Sequence, residues 1–272
     1  MKAPLVSAKA GRTPARGHAR ALPVQAVVIL CALAAGFRQA AGGPEDPTTT
    51  IAWQPVQGVV GDSDVSTLGS LLYAYTFGTS QPVTVNAVTF TGFVTNGQQS
   101  VTNGPLTLTE TDPNHVLANL SSATGTAPFG LLSANYQDLL ESSTYSSVPA
   151  SILVDMGGLT IGQEYLVQLW SSMPYSSGGL HTTAVSSGMT STLLNPNPSN
   201  LDGGLGQYVI GSFTASGTVA TFQLDGATYS NFPLITALQV RAVPEPSSYA
   251  IALTGATLCG WRIWRRGWRK SR

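Results

Sequence analysis

An all-β body folded as a two-sheet sandwich of jelly-roll type is what this sequence predicts, and three observations carry the expectation. Short runs rich in β-branched and aromatic residues recur through 51–242, separated by Gly, Pro, Asn and Ser. Several runs alternate apolar and polar residues, as Ala220, Phe222 and Leu224 do, or Leu238 and Val240 against Gln239 and Arg241. No internal repeat is present, so a solenoid is not expected. A body of this length can bury one substantial core.

The expected strands are 51–60, 71–77, 83–93, 106–109, 152–156, 165–171, 208–215, 218–224 and 234–241. In the third, the apolar set shifts from Val83 and Val85 to Val88 and Phe90, which predicts a bulge near Asn86. One helix is expected over 131–141, where Leu132, Tyr136, Leu139 and Leu140 share a face. The stretch 173–204, rich in Ser, Thr, Asn, Pro and Gly, is expected to contain long loops.

Charge divides the chain in three. Six bases (Lys2, Lys9, Arg12, Arg16, Arg20, Arg38) precede Gly42 and six (Arg262, Arg265, Arg266, Arg269, Lys270, Arg272) follow Gly260. Between them Arg241 is the one base against twelve acids from Glu45 to Asp225, leaving a net −11. Such a body repels phosphate backbones, so no nucleic-acid partner is expected. Basic ends around an acidic middle suit a chain whose middle crosses a membrane and whose ends do not.

The N-terminal end carries a basic region, then an apolar run over 21–36, then the small residues Ala40, Ala41, Gly42 and Gly43. This is the layout of a secretory signal peptide, assigned to 1–41, with 42–50 as a linker. Cys31 does not make a lipoprotein site, because Leu30 stands where a small residue should precede it. Both cysteines, Cys31 and Cys259, lie in the end segments, so the processed body holds no thiol.

At the C-terminal end Val243-Pro244-Glu245-Pro246 forms a stiff junction that joins neither helix nor sheet. An apolar run over 249–261 follows, then a segment in which Trp261, Trp264 and Trp268 alternate with bases. The run is shorter than the roughly 20 residues of a stable spanning helix. Its aromatic residues suit a membrane–water interface, and its bases resist translocation. A short membrane segment at 249–264 with a hard stop is a retention signal built for removal.

This tail, 243–272, closely resembles the PEP-CTERM sorting signal, which also goes by the name of an ice-binding-protein C-terminal domain. The resemblance implies export across the inner membrane of a Gram-negative bacterium, recognition by an exosortase and cleavage near Pro244-Glu245-Pro246. It further implies a transiently anchored cell-surface or extracellular protein linked to exopolysaccharide. The label carries no ice-binding role to the body.

Within the body, 158–170 and 234–241 resemble the turn-plus-strand and closing strand of galactose-binding-like and malectin-like sandwiches. That resemblance is one of fold, and fold does not fix function.

No assembled catalytic motif is found: there is no Gly-x-Ser-x-Gly elbow, HExxH, CxxC or phosphate loop. Glu110, Asp112 and Glu164 are the carboxylates that a glycosidase could pair, and His115 and His181 the bases a hydrolase could use. The body is expected to bind rather than catalyse. Asp62 and Asp64, two residues apart in a Gly-led loop, can present hard oxygens to calcium, or can serve as an Asx-turn and a solvated acid. Trp53, Trp170 and Tyr175 have ring faces a sugar could stack on, although Trp170, at a strand end, also suits the core. The expected ligand-binding set is Tyr175 and His181 with Asn195 and Asp202 as polar partners. The function expected is binding or organising extracellular polysaccharide. A ligand-free structural surface protein is the alternative, and a polysaccharide-processing enzyme the third reading.

Overall fold

The computed structural model of the protein describes residues 49–146, 150–176, 182–226 and 232–244. The signal segment, His181, Glu245, Pro246 and the apolar tail lie outside them.

Among the described residues, seventeen strands run in chain order: β1 (Ala52–Trp53), β2 (Gln57–Gly58), β3 (Ser70–Phe77), β4 (Val83–Val85), β5 (Val88–Phe93), β6 (Ser100–Asn103), β7 (Leu106–Glu110) and β8 (Leu117–Ser121). Then come β9 (Ser142–Ser146), β10 (Ser151–Gly157), β11 (Glu164–Ser171), β12 (Thr183–Ser187), β13 (Thr190–Leu194), β14 (Gln207–Thr214), β15 (Val219–Gly226), β16 (Leu234–Ile235) and β17 (Ala237–Ala242). The helix α1 (Ala134–Leu140) follows a 3-10 turn at Phe129–Leu131.

Two large sheets make the sandwich. The first, of eight strands, runs β1-β14-β11-β17-β3-β5-β4, with β2 also on β14. The second, of six, runs β13-β12-β15-β10-β7-β6. A third, three-stranded sheet, β16-β9-β8, adjoins them. The pairing is antiparallel except for β3 with β5. The core between the large sheets takes Phe77, Val167, Leu169 and Val240 from one side, and Leu108, Val154, Phe222 and Leu224 from the other. Their alternation fits a pleated strand with one face inward.

The outer faces of the two sheets differ. On the six-stranded sheet, β10 alternates buried Ile152, Val154 and Met156 with half-exposed Leu153 and Asp155. On the eight-stranded sheet, β11 is buried from Tyr165 through Ser171, because a second apolar cluster covers its outer face. That cluster joins Trp170, Phe90 and Ala237 to Tyr136, Leu139 and Leu140 of α1. The segment 64–69 lies beside it as a strap across the sheet.

The structure corrects several expectations. Asn86 is not a bulge: Asn86 and Ala87 take positive φ, 47° and 62°, and form a two-residue turn between β4 and β5. The region 173–204 contains, besides its loops, a hairpin of β12 and β13 that the expected strands omit, built from Ser, Thr, Ala, Val and Leu. The run 51–60 yields two two-residue strands, since Pro55 has no amide to give a ladder. The run 234–241 breaks at Thr236, which divides it between two sheets. The helix starts later than expected, at Ala134, with Ser133 as N-cap accepting from the Tyr136 amide.

Candidate functional site

Two polar constellations stand out, one buried beneath the strap and one in the loops where β11 ends and β14 begins.

The buried one starts from three outward-facing positions of adjacent strands. Gln168 of β11 lies opposite Gln239 of β17, and Arg241 follows on the same face. Polar side chains there would ordinarily meet water, but the strap covers them, so each needs a partner. Gln168 Nε2 donates to the Asp64 carbonyl (2.6 Å), and its Oε1 accepts from the Ser66 amide (3.0 Å) and from Gln239 Nε2 (2.7 Å). Gln239 Nε2 also donates to the Ser66 carbonyl (3.0 Å). Arg241 donates to the carbonyls of Thr67 (3.2 Å), Leu68 (2.9 Å) and Gly69 (2.9 Å), and to Gln239 Oε1 (3.1 Å). The body's one basic residue is thus spent on backbone carbonyls, and burial pushes its pKa below the usual arginine value. Gly69 is required at the end of the strap: its φ is +76°, and a Cβ would collide with the Ala242 carbonyl oxygen.

Asp62 and Asp64 lie on a 3-10 turn at the head of this strap. Asp64 is buried. Its Oδ2 accepts from the amides of Val60 (2.8 Å) and Gly61 (3.0 Å) and from the Tyr136 hydroxyl (3.0 Å). Tyr136 Oη in turn accepts from Trp170 Nε1 (3.2 Å). Burial, and then the Asp64 charge, push the Tyr136 phenol far above its ordinary value, so it remains a donor. Asp62 Oδ1 accepts from the Ser133 hydroxyl (2.6 Å), fastening the turn to the N-cap of α1. Both acids are therefore hydrogen-bond acceptors joining the strap to the helix. Among the described residues, no group of three or more His, Cys, Asp or Glu gathers to hold a metal ion. Trp170 is fully buried, its ring edge-on to Phe90, so its face is closed to a sugar.

The second constellation is open. Tyr175 is half-exposed in the loop after β11, and Asp202 is exposed in the loop before β14. Asn197, buried between them, donates from Nδ2 to the carbonyls of Tyr175 (3.2 Å) and Leu201 (2.9 Å). Asp202 Oδ1 accepts from the Ser176 amide (2.8 Å), and the Gly203 amide donates to the Pro174 carbonyl (2.6 Å). Asn195 Oδ1 accepts from the Asn197 amide (2.9 Å), while its own amide donates to Gln207 Oε1 (2.8 Å). A third loop joins through the Phe129 amide, which donates to the Gly203 carbonyl (2.9 Å). Gly203 (φ +79°) is needed there, because a Cβ would lie 2.5 Å from the Thr126 carbonyl oxygen. The structure thus brings Tyr175, Asn195 and Asp202 into one stitched cluster. Sequence reasoning missed Asn197, whose signal was an Asn between two prolines.

Of the candidate catalytic acids, Glu164 stands apart from Glu110 and Asp112. Glu164 opens β11 opposite Thr214, and Glu110 closes β7 at the other end of the sandwich. Glu110 is buried, with Oε1 accepting from the Asp112 amide (3.1 Å). Asp112 pairs with His115, 2.9 Å between Oδ2 and Nδ1. Its carboxyl is held below the usual range chiefly by the Asn114 amide, with His115 adding to the effect. Trp53 lies edge-on to Phe222.

The chain matches no protein-family model, and no curated protein matches it. Among solved structures, it is similar to the ANXUR1 extracellular domain from Arabidopsis thaliana, at 13% identity and a TM-score of 0.41. It is likewise similar to the plant receptor-like kinase ANX2, at 14% identity and a TM-score of 0.40. Either match covers 64% of this chain and 42% of the other, so the chain spans less than half their length. A carbohydrate-binding module of the β-sandwich superfamily matches at 13% identity and a TM-score of 0.18, over 71% of this chain and 99% of the module. What those proteins bind is not carried to this chain by likenesses of this size.

Proposed function

We propose that the body is a non-catalytic binding module of an exported surface protein, taking extracellular polysaccharide at the loop cluster of Tyr175, Asn195 and Asp202. The observation that supports this reading is the cluster itself. Residues far apart in sequence meet in loops fixed by the buried Asn197, with a half-exposed ring beside an exposed carboxylate. Sugar sites of this kind use an apolar ring face for stacking and a few fixed polar groups for hydroxyls. Binding rather than cleavage is the reading favoured by the separation of Glu164 from Glu110 and Asp112. In this reading the signal peptide directs export, and the sorting tail gives transient retention in the membrane until an exosortase cleaves it.

Affinity electrophoresis on exopolysaccharide from the host is the test. The body should be retarded, with an affinity of about millimolar to micromolar. Tyr175→Ala should fold as the parent does and lose the retardation. Mobility unchanged by the polymer overturns the reading, and release of reducing ends turns it toward an enzyme.

The structural surface protein without a small ligand has one observation in its favour. On the open face of the six-stranded sheet the polar groups satisfy one another: Ser100 with Thr109 and Thr102 with Thr107 (both 2.9 Å), and Asp155 with Thr221 (2.6 Å). Groups already paired offer little to a ligand.

A further inference from the structure

The two ends of the sandwich differ in chemistry. At one end lie the loop cluster, Glu110, Asp112, Asp202 and Asp225. At the other, the turns 66–72, 103–105, 157–163 and 215–219 surround the point where the chain leaves β17, and none contains a charged residue. Among the described residues, Glu164 at the start of β11 directly follows one of these turns, while Arg241 is buried under the strap. The exposed apolar side chains here are Leu68, Leu71 and Leu72 on the β3 side, Ile161 before β11, Val219 opening β15 and Met189 in the β12–β13 turn; at the other end exposed Val60, Leu131 and Leu201 share the surface with Asp62 and Asp202.

Their placement follows from the exit. Val243 is held on both its polar atoms, its amide donating to the Glu164 carbonyl (2.9 Å) and its carbonyl accepting from Gln163 Nε2 (2.6 Å). Ile161 is two residues before Gln163, and Leu68 is next to Gly69, which packs on Ala242 and Val243. The two therefore flank the departing chain from opposite sides. The described chain also enters here, for Thr49 Oγ1 contacts Ser216 Oγ (2.9 Å). Only four residues, Glu245 to Ser248, separate Pro244 from the apolar run that begins at Tyr249. That spacer spans at most about 17 Å from Pro244 to Tyr249.

We infer that this apolar, uncharged end is a bilayer-facing surface, resting Leu68, Leu71 and Ile161 in the interfacial region of a phospholipid membrane while the tail is embedded. The inference rests on the proposed retention by the tail. The described body carries ten acids against Arg241 and would be repelled by anionic lipid; directing the end whose turns are uncharged to the bilayer turns most of those acids away from the surface. The geometry also turns the Tyr175 loops away from the membrane, toward the polymer.

The full chain, carrying Cys31→Ser and Cys259→Ser, is reconstituted with vesicles of phosphatidylethanolamine and phosphatidylglycerol. A polarity-sensitive dye is attached through Ile161→Cys or, separately, Leu201→Cys. These sites are equally exposed, 65% and 66%, but lie at opposite ends. Spin-labelled lipid headgroups should quench the dye at 161 several-fold more than at 201, and Leu68→Asp should weaken that quenching. Flotation with the vesicles but equal quenching at both sites overturns the orientation and leaves the retention standing. Failure of the full chain to float overturns the retention, and this inference with it.

Discussion

The two large sheets share one core, yet their outer faces are made in opposite ways. On the six-stranded sheet, strands meet water directly: hydroxyls and acids stand in rows, and Ser151 and Gln223 both donate to Asp225. On the eight-stranded sheet, a strap and a helix close the face, and the polar groups beneath them form a connected network from Arg241 to Trp170. A polar group on the open face can exchange its partner for water at little cost. Beneath the strap it cannot, because a buried donor without an acceptor loses its full desolvation energy. The same residue types thus carry different energetic weight on the two faces.

The largest expected effect compares two aspartates. Asp64→Ala leaves two amides and a phenol unpaired under the strap and should cost about 3 kcal/mol. Asp155→Ala on the open face, losing its bond from Thr221, should cost less than about 1 kcal/mol. Urea unfolding of both variants measures the difference. Equal losses would mean that the strap does not seal its face.

Tyr136→Phe sharpens the comparison with a smaller step. The hydroxyl bridges Trp170 Nε1 and Asp64 Oδ2, so its removal orphans one buried donor and one acceptor bond while leaving the ring in place. A loss of about 2 kcal/mol is expected. A second readout is tryptophan fluorescence, since the Trp170 indole loses its acceptor. A variant as stable as the parent would show that water replaces the hydroxyl and that the network is open.

The same contrast explains what was legible in the sequence. On the open sheet, β15 announces itself by the alternation of Ala220, Phe222 and Leu224 and β10 by its run of apolar residues, and the expected runs 152–156 and 218–224 fall within one or two residues of the strands. On the closed sheet, 165–171 reads as a strand, but Gln168 looks like a solvent-facing residue in one-dimensional sequence. Its burial depends on a strap about 100 residues away, which carries no pattern of its own. The β12–β13 hairpin was hidden by composition, for Thr183 and Ser187 are buried although hydroxyl residues usually signal loops. In the loop cluster, Tyr175, Asn195 and Asp202 could be chosen by chemistry, while Asn197 acts through backbone carbonyls that no side-chain motif records.

Titration gives a smaller effect with opposite signs on the two sides. Glu141, closing α1, has its pKa raised by burial and then by Asp138. The folded state holds that proton longer, so its contribution is present below the unfolded pKa, about 4.3, and fades as pH rises through the raised folded value. Glu141→Gln should flatten this decline. Asp112 is depressed, so its contribution is present above the unfolded value, about 3.9, and is lost as pH falls through the folded one. Asp112→Asn should remove that acid-side loss. Unfolding curves across acidic to neutral pH test both, and parallel pH profiles for parent and variants would refute the assignments.

Calcium provides the finest test, where the expected effect is none. Asp62 and Asp64 have the spacing of a cation pair, but Asp64 Oδ2 already accepts three hydrogen bonds and Asp62 Oδ1 accepts from Ser133. For a cation to take Asp64 Oδ2, it would have to compete with two backbone amides and a phenol in a buried site. Binding would declare itself by mass action: at a calcium concentration of about 100 times the Kd, stability rises by about 2.7 kcal/mol. Melting curves in millimolar calcium and in chelator should instead overlay for the parent, and Asp62→Ala should lower both equally through loss of the Ser133 contact. A calcium-dependent rise that Asp62→Ala abolishes would assign the pair to the metal, and would make the strap a ligand-gated element rather than a fixed cover.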